Sequence, residues 1–297
     1  MMKDGLAAFA VSADELTALV HKLIPTWRND ALDEFAYLSG GYSNFNVAFR
    51  RKNSTPDARG ELYSRYVIRL PKRVQPYVDR QAEAAWYRHM PMTIGPTPLA
   101  FDVHSGQMIT PWVSGDLLVD VFPRSCCEAD LVNYLQEMHV QLPKVAKHYH
   151  VPSLVPEFIG TDWPADFDRG KFMASAQSLA SSSGVAVTCH NDLNPWNILV
   201  TAEGWKTLDW EFVGCNDPLF DLVALHQGLQ LDTDSLPELA KAFLSSCSAE
   251  RLTRAFAHFW LREWCWASYQ LRQGNRRGEI VEQEREAKQQ LLGLPEF

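Results

Sequence analysis

Apolar positions recur every three or four residues near the start of the chain. Leu16, Leu19, Val20 and Leu23 share one face, and the S-x-x-E of Ser12 to Glu15 supplies a capping box, so the spacing predicts a helix that stops near Pro25. Further on the chain reads as strands. The stretch "EFAYLSGGYSNFNVAFR" reads as strand, glycine turn and strand, and "LYSRYVIRLP" as a third strand halted by Pro71. A helix is expected in "VDRQAEAAWYRHM" and a short strand in "QMITPWVSG". From about residue 116 the pattern turns helical. "EADLVNYLQEMHVQL" is amphipathic, the proline-bearing residues 148 to 166 read as loop, and "RGKFMASAQSLASSSG" reads as helix. "NILVTAEGWKTLDW" predicts a β-hairpin with Glu203 and Gly204 in its turn, and a largely helical C-terminal region follows. The order predicts a small strand-rich lobe at 1–113, ending in a connector, and a larger helical lobe at 114–297.

Composition narrows the classes. Of 297 residues, 46% are hydrophobic and 22% charged, the balance of a soluble protein with room for two cores. A net charge of −8 without a Lys/Arg run argues against a nucleic-acid binder, though a nucleotide can still be held by backbone amides and metal. No stretch approaches the roughly 20 apolar residues needed to span a membrane, and "MMKDGLAAFAVSADEL" lacks the long apolar region of a signal peptide. The six cysteines show no CxxC pair or zinc spacing, so reduced thiols and a cytoplasmic location are expected.

The chemistry concentrates in "CHNDLNPWNILV". His190, Asp192 and Asn197 have the H-x-D-x4-N spacing of a kinase catalytic loop, and Asp209 follows twelve residues after Asn197 on the far side of the hairpin. Phosphoryl transfer needs these parts: a carboxylate at the acceptor hydroxyl, and oxygen ligands for Mg²⁺ on the phosphates. The bland alternative is a turn-rich connection with solvated acids. Upstream features favour the first reading. Gly40 and Gly41, with Ser43 and Asn44, sit between two strands where backbone N–H groups can approach phosphates. Arg69 lies on the third strand, and Glu83, fourteen residues on in the next helix, is its natural partner.

Taken together, "GGYSNFNVAF", "YVIRLP", "TPWVSG", "CHNDLNPWNIL" and "TLDWEFVGCNDPLFDLVAL" resemble the aminoglycoside phosphotransferase and choline/ethanolamine kinase superfamily, and within it the bacterial choline kinase and thiamine kinase branch. The resemblance implies an α+β, bilobal protein-kinase-like fold, with a small antiparallel-sheet N-lobe and a larger, mainly helical C-lobe. It implies ATP and Mg²⁺ as cofactors. Asp192 would be the base or hydroxyl-orienting residue, and Asn197 and Asp209 the metal ligands, with Glu211 near a second ion or its waters. Thr110 to Val113, Trp112 among them, would form the hinge that reads adenine. His190 would brace the loop, and Asp221 would anchor it by hydrogen bonds.

For the acceptor, the aromatic stretch "HFWLREWCWASYQ" places Trp266 where choline kinases carry a tryptophan against a quaternary ammonium, and cation–π attraction suits such a ligand. Glu263 is a possible charge partner one turn earlier, and Tyr269 follows one turn later. The chain departs from choline kinases at two points. Glu263 stands where a second Trp is frequent, and Gly228 where an acid is usual. The expected substrate is a small amine-containing alcohol (choline, ethanolamine or thiamine) and the expected assembly a monomer or homodimer. An antibiotic phosphotransferase and a nucleotide-binding pseudokinase scaffold are the alternatives. Intact Asp192, Asn197 and Asp209 oppose the scaffold.

Overall fold

The computed structural model describes residues 11–38, 43–53, 61–75, 77–160, 163, 170, 172–174 and 186–294. They form two compact units. The first comprises the described residues of Met1–Gln75, Asp79–Leu117 and Ile198–Glu211; the second, those of Pro76–Val78, Leu118–Asn197 and Phe212–Phe297.

In the first unit, helix α1 (Ala13–Leu23) opens on the expected capping box. The Glu15 N–H donates to Ser12 Oγ at 3.2 Å, and the Ser12 N–H donates to the Glu15 carboxylate at 2.7 Å. Strands β1 (Leu32–Leu38), β2 (Asn44–Lys52), β3 (Tyr63–Pro71), β4 (Ala100–Phe101) and β5 (Met108–Pro111) make one antiparallel sheet in the order β1-β2-β3-β5-β4. Leu16 and Val20 of α1 bury themselves on Val47, Phe49, Ile68 and Ile109, the inward side chains of β2, β3 and β5. This apolar face is the reason the helix and the sheet hold each other. Helix α2 (Arg80–Tyr87) starts at Asp79, whose carboxylate accepts the N–H groups of Gln81 and Ala82 at 3.0 Å.

A second sheet of the same unit joins β6 (Asp116–Leu117) to the hairpin of β8 (Ile198–Thr201) and β9 (Gly204–Thr207). The hairpin forms where expected, but its turn lies one residue earlier, at Ala202 and Glu203, with Thr201 opposite Gly204. The cause is local. Thr201 Oγ1 accepts the Glu203 N–H and donates to Gly204 O, while Gly204 takes the positive φ of +103° that closes the loop.

The second unit is mainly helical: a short α3 (Leu118–Val121), then α4 (Glu128–Gln141), α5 (Val151–Ile159), α6 (Leu219–Gly228), α7 (Leu236–Phe243), α8 (Ala249–Arg272) and α9 (Gly278–Leu292). A two-stranded antiparallel pair, β7 (Val187–Cys189) with β10 (Gly214–Asn216), lies among them. Helix α5 corrects the expectation of loop at 148–166. Pro152 sits in the first turn, where its missing N–H is not needed, and exposed Pro156 forfeits one hydrogen bond, whereas Val151, Val155, Phe158 and Ile159 all bury. Most of the helix expected at 169–184 lies outside the described residues, of which 170 and 172–174 are helical. All six cysteines are free thiols. No helix among the described residues is long and apolar enough to cross a membrane. The class is the expected mixture, with an antiparallel sheet in the N-terminal part and helices in the C-terminal part.

Candidate active site

In the first unit the strand arginine and the helix acid meet. Arg69 Nη1 donates to Glu83 Oε1 at 2.7 Å and to Asp209 Oδ1 at 3.0 Å, and its Nε and Nη2 reach Gly106 O at 3.4 and 3.1 Å. The planar fork lets one side chain serve three acceptors, which a lysine does not match. Burial works against the Arg69 charge, but Glu83 and Asp209 outweigh it and hold its pKa well above the usual range. A second arginine, Arg80, was not singled out by sequence. Its Nη1 joins Glu83 Oε2 at 2.7 Å to Glu211 Oε2 at 2.9 Å, so Glu83 lies between two guanidinium groups. Gly106 has φ +72°, and a Cβ there would come within 2.6 Å of Arg80 Nε; both favour glycine.

Three carboxylates thus share two guanidinium groups. Glu83 and Glu211 are buried, whereas the Asp209 side chain is 31% exposed. Burial, and next the Asp209 charge, push the Glu211 carboxyl up to about 7. Asp209 itself has the left-handed φ of +59°, a conformation that costs a non-glycine residue and is common at functional sites. Surplus negative charge beside a half-exposed aspartate fits a divalent cation, which would relieve the repulsion.

Of the other expected nucleotide-side residues, Gly40 and Gly41 lie outside the described residues. Ser43 O accepts the Lys72 N–H at 3.0 Å, and Asn44 is buried with Oδ1 lacking a hydrogen-bond partner among the described residues. Thr110 pairs with Val67 across β5 and β3. The Trp112 N–H donates to Arg65 O at 3.0 Å, and the Arg65 guanidinium stands 4.2 Å from the Trp112 ring centre.

In the second unit the loop carrying Asp192 is tied down from every side. Asp221, fully buried on α6, accepts the main-chain N–H groups of His190 and Asn191 at 2.9 and 2.8 Å and lies 3.0 Å from His139 Nε2. Asn191, with φ +64°, donates from Nδ2 to the carbonyls of Cys189, Phe212 and Gly214. The Asp192 N–H donates to His190 Nδ1 at 3.2 Å, and Asn197 Nδ2 donates to Asp192 O at 2.9 Å. The Asp192 carboxylate is held separately. Its Oδ1 accepts from Asn194 Nδ2 at 2.8 Å and from Arg262 Nη2 of α8.

Arg262 is the main residue that sequence reading passed over. The signal was an Arg-Glu pair inside an otherwise aromatic helix, and the structure buries both. Glu263 is engaged within the protein. One of its oxygens accepts from Arg262 Nη1 and the other from Gln283 Nε2. Trp266 and Tyr269 are both buried, one and two turns beyond Arg262 along nearly the same face of α8. Tyr269 packs edge-on to Tyr77, Tyr77 stacks on Phe212, and the Arg262 guanidinium lies 5.2 Å from the Phe212 ring centre. Gly228 packs on the same loop: a Cβ there would meet Pro195 Cδ at 2.5 Å.

Comparison with known proteins shows the family and the fold. The phosphotransferase enzyme family is matched over residues 34–271. A choline/ethanolamine kinase family protein from Mesorhizobium loti shares the fold with a TM-score of 0.69 at 22% identity, over 96% of each chain. A LicA structure in complex with AMP gives 0.74 at 17% identity, over 93% of this chain and 97% of the other. At such identities the likeness is one of fold. Protein LicA of Haemophilus influenzae is 36% identical over 55 residues, 18% of this chain, so the match spans about a fifth (21%) of that relative's length.

Proposed function

We propose that this chain, which belongs to the phosphotransferase enzyme family, transfers the terminal phosphoryl group of ATP to the hydroxyl of a small amine-bearing alcohol. The observation that carries this reading is the junction at Arg69. One buried guanidinium joins Glu83 to Asp209, tying a phosphate-side cation to the aspartate that stands where the family resemblance puts a metal ligand. Choline, ethanolamine and thiamine are the acceptors favoured, because Trp266 lies along the helix face whose Arg262 touches Asp192.

In this reading Asp192 accepts the hydroxyl proton or orients the hydroxyl, and its main chain is already fixed by His190 and Asn197. Asn197, Asp209 and Glu211 would hold Mg²⁺, which supplies charge neutralisation on the phosphates. Arg69 and Arg80 keep the acids around Asp209 and Glu211 in place, and Gly40, Gly41, Ser43 and Asn44 belong to the phosphate side. Thr110 to Val113 would border the base. Monomer or homodimer and a cytoplasmic location go with the reading. An antibiotic acceptor is the second possibility, and it draws less support because the acids of α9 alternate with bases, as on a solvated face.

The test is Asp209→Ala, titrated with MgATP by calorimetry beside the wild type. The reading expects phosphotransfer to vanish, metal-dependent nucleotide binding to weaken at least tenfold, and the apo protein to remain folded. Equal metal dependence in the two proteins would count decisively against it.

A further inference from the structure

We propose that Arg262 is the positioning residue for Asp192, an inference that rests on Asp192 serving the acceptor hydroxyl. The main chain of the loop needs no help from α8. Asp221, His190 and Asn197 already hold it. What those contacts leave open is the direction of the Asp192 carboxylate, and there Arg262 acts, with Asn194, on Oδ1.

Arg262 is itself held rigidly. Glu263 takes its Nη1, Gln283 of α9 holds the other oxygen of Glu263, and Phe212 lies under the guanidinium. The chain Gln283–Glu263–Arg262–Asp192 therefore runs from the last helix to the acting carboxylate. Burial opposes the charge on Arg262, while Asp192 and Glu263 restore it and raise its pKa well above the usual range.

A buried ion cluster is a poor way to stabilise a fold, since well-packed apolar side chains of the same volume do as well or better. Its presence beside Asp192 in an aromatic helix points to a use in orientation. Lysine keeps the charge but not the fork, so it can serve one carboxylate firmly and not both. A carboxylate free to rotate spends little time in the reactive direction, and misplacement on the order of 1 Å costs about a hundredfold in rate.

The experiment is a double-mutant series read by turnover on the best acceptor, with melting temperature and the KM of ATP measured on each protein. Arg262→Lys should lower kcat by about tenfold to a hundredfold and leave the KM of ATP within about twofold. Arg262→Ala should fall further and regain part of its kcat when guanidinium ion is added at a few millimolar, which a merely structural loss would not do. In an Asp192→Asn background, Arg262→Lys should cost nothing more, because there is no carboxylate left to aim. Should Arg262→Ala fail to fold, the Lys variant and Glu263→Gln carry the test, the latter with a smaller loss of kcat that is likewise absent behind Asp192→Asn. Wild-type kcat in Arg262→Lys, or losses that multiply with that of Asp192→Asn, overturns the proposal. A fully active Asp192→Asn is a different result: it removes the assignment of Asp192 on which the proposal rests.

Discussion

His258 shows how one side chain sets a pH limit on the fold. Burial first, then the positive charges of His150 and Arg254, lower its pKa from 6.5 to about 4, with Asp217 pulling weakly the other way. The unfolded chain takes up this proton below about pH 6.5, and the folded one not until about pH 4. Stability present above pH 6.5 is therefore lost as the pH falls towards 4, by at most about 3 kcal/mol. Denaturant unfolding at pH 7.5 and 5.0 should show a smaller acid loss in His258→Gln than in the wild type. His150 and His226, also lowered by burial, keep part of the slope in the variant. Identical slopes would show that His258 titrates alike in the folded and unfolded states. Trp266 makes a residue-scale prediction of another kind. If the proposed cation–π contact, worth roughly 0.5–2 kcal/mol, is made, Trp266→Leu should raise the KM of the amine acceptor by up to about thirtyfold and leave that of ATP unchanged. A lower melting temperature with both KM values intact would place Trp266 in the core alone.

Among the elements, the contact of α6 with the loop at Pro195 explains a departure from the choline kinase pattern. An acid at position 228 is usual in choline kinases, yet here any side chain would strike a proline ring that cannot swing aside. Pro195 opens the short 3₁₀ turn that ends at Asn197, so pressure there is passed to a proposed metal ligand. Gly228→Asp should lower the melting temperature, with overpacking worth about 1–3 kcal/mol, and should reduce metal-dependent nucleotide binding as well as kcat. Full activity and an unchanged melting temperature in Gly228→Ala would remove the contact from the account. The elements also show what a sequence discloses. Features with a local cause were legible: the Ser12–Glu15 box, the Pro71 stop of β3, and the H-x-D-x4-N spacing. Helix α5 was not, because its prolines weigh against helix locally and only burial of Val155, Phe158 and Ile159 reverses that. Arg262 and Arg80 were hidden for a related reason. Each has a local partner, but the carboxylates that matter for the site, Asp192 and Glu211, lie 70 and 131 residues away, and no periodicity reports a contact at that separation.

For the whole molecule, the residues of the proposed chemistry divide between the two units. The first carries Arg69, Glu83, Asp209 and Glu211 on β3, α2 and the segment that follows the hairpin; the second carries Asp192 and Asn197 on a loop braced by α6 and α8. A scaffold that only bound nucleotide would have no need of the second set. The most direct measurement is ADP release by the wild type and by Asp192→Asn, with MgATP and a panel of choline, ethanolamine, thiamine, an aminoglycoside and an uncharged sugar. At least one of choline, ethanolamine and thiamine should stimulate ADP release in a Mg²⁺-dependent way, and more than the aminoglycoside does, and Asp192→Asn should lose that stimulation by about a hundredfold or more while still binding MgATP. Stimulation by the sugar alone, by no acceptor at all, or to the same extent in Asp192→Asn would contradict the central claim.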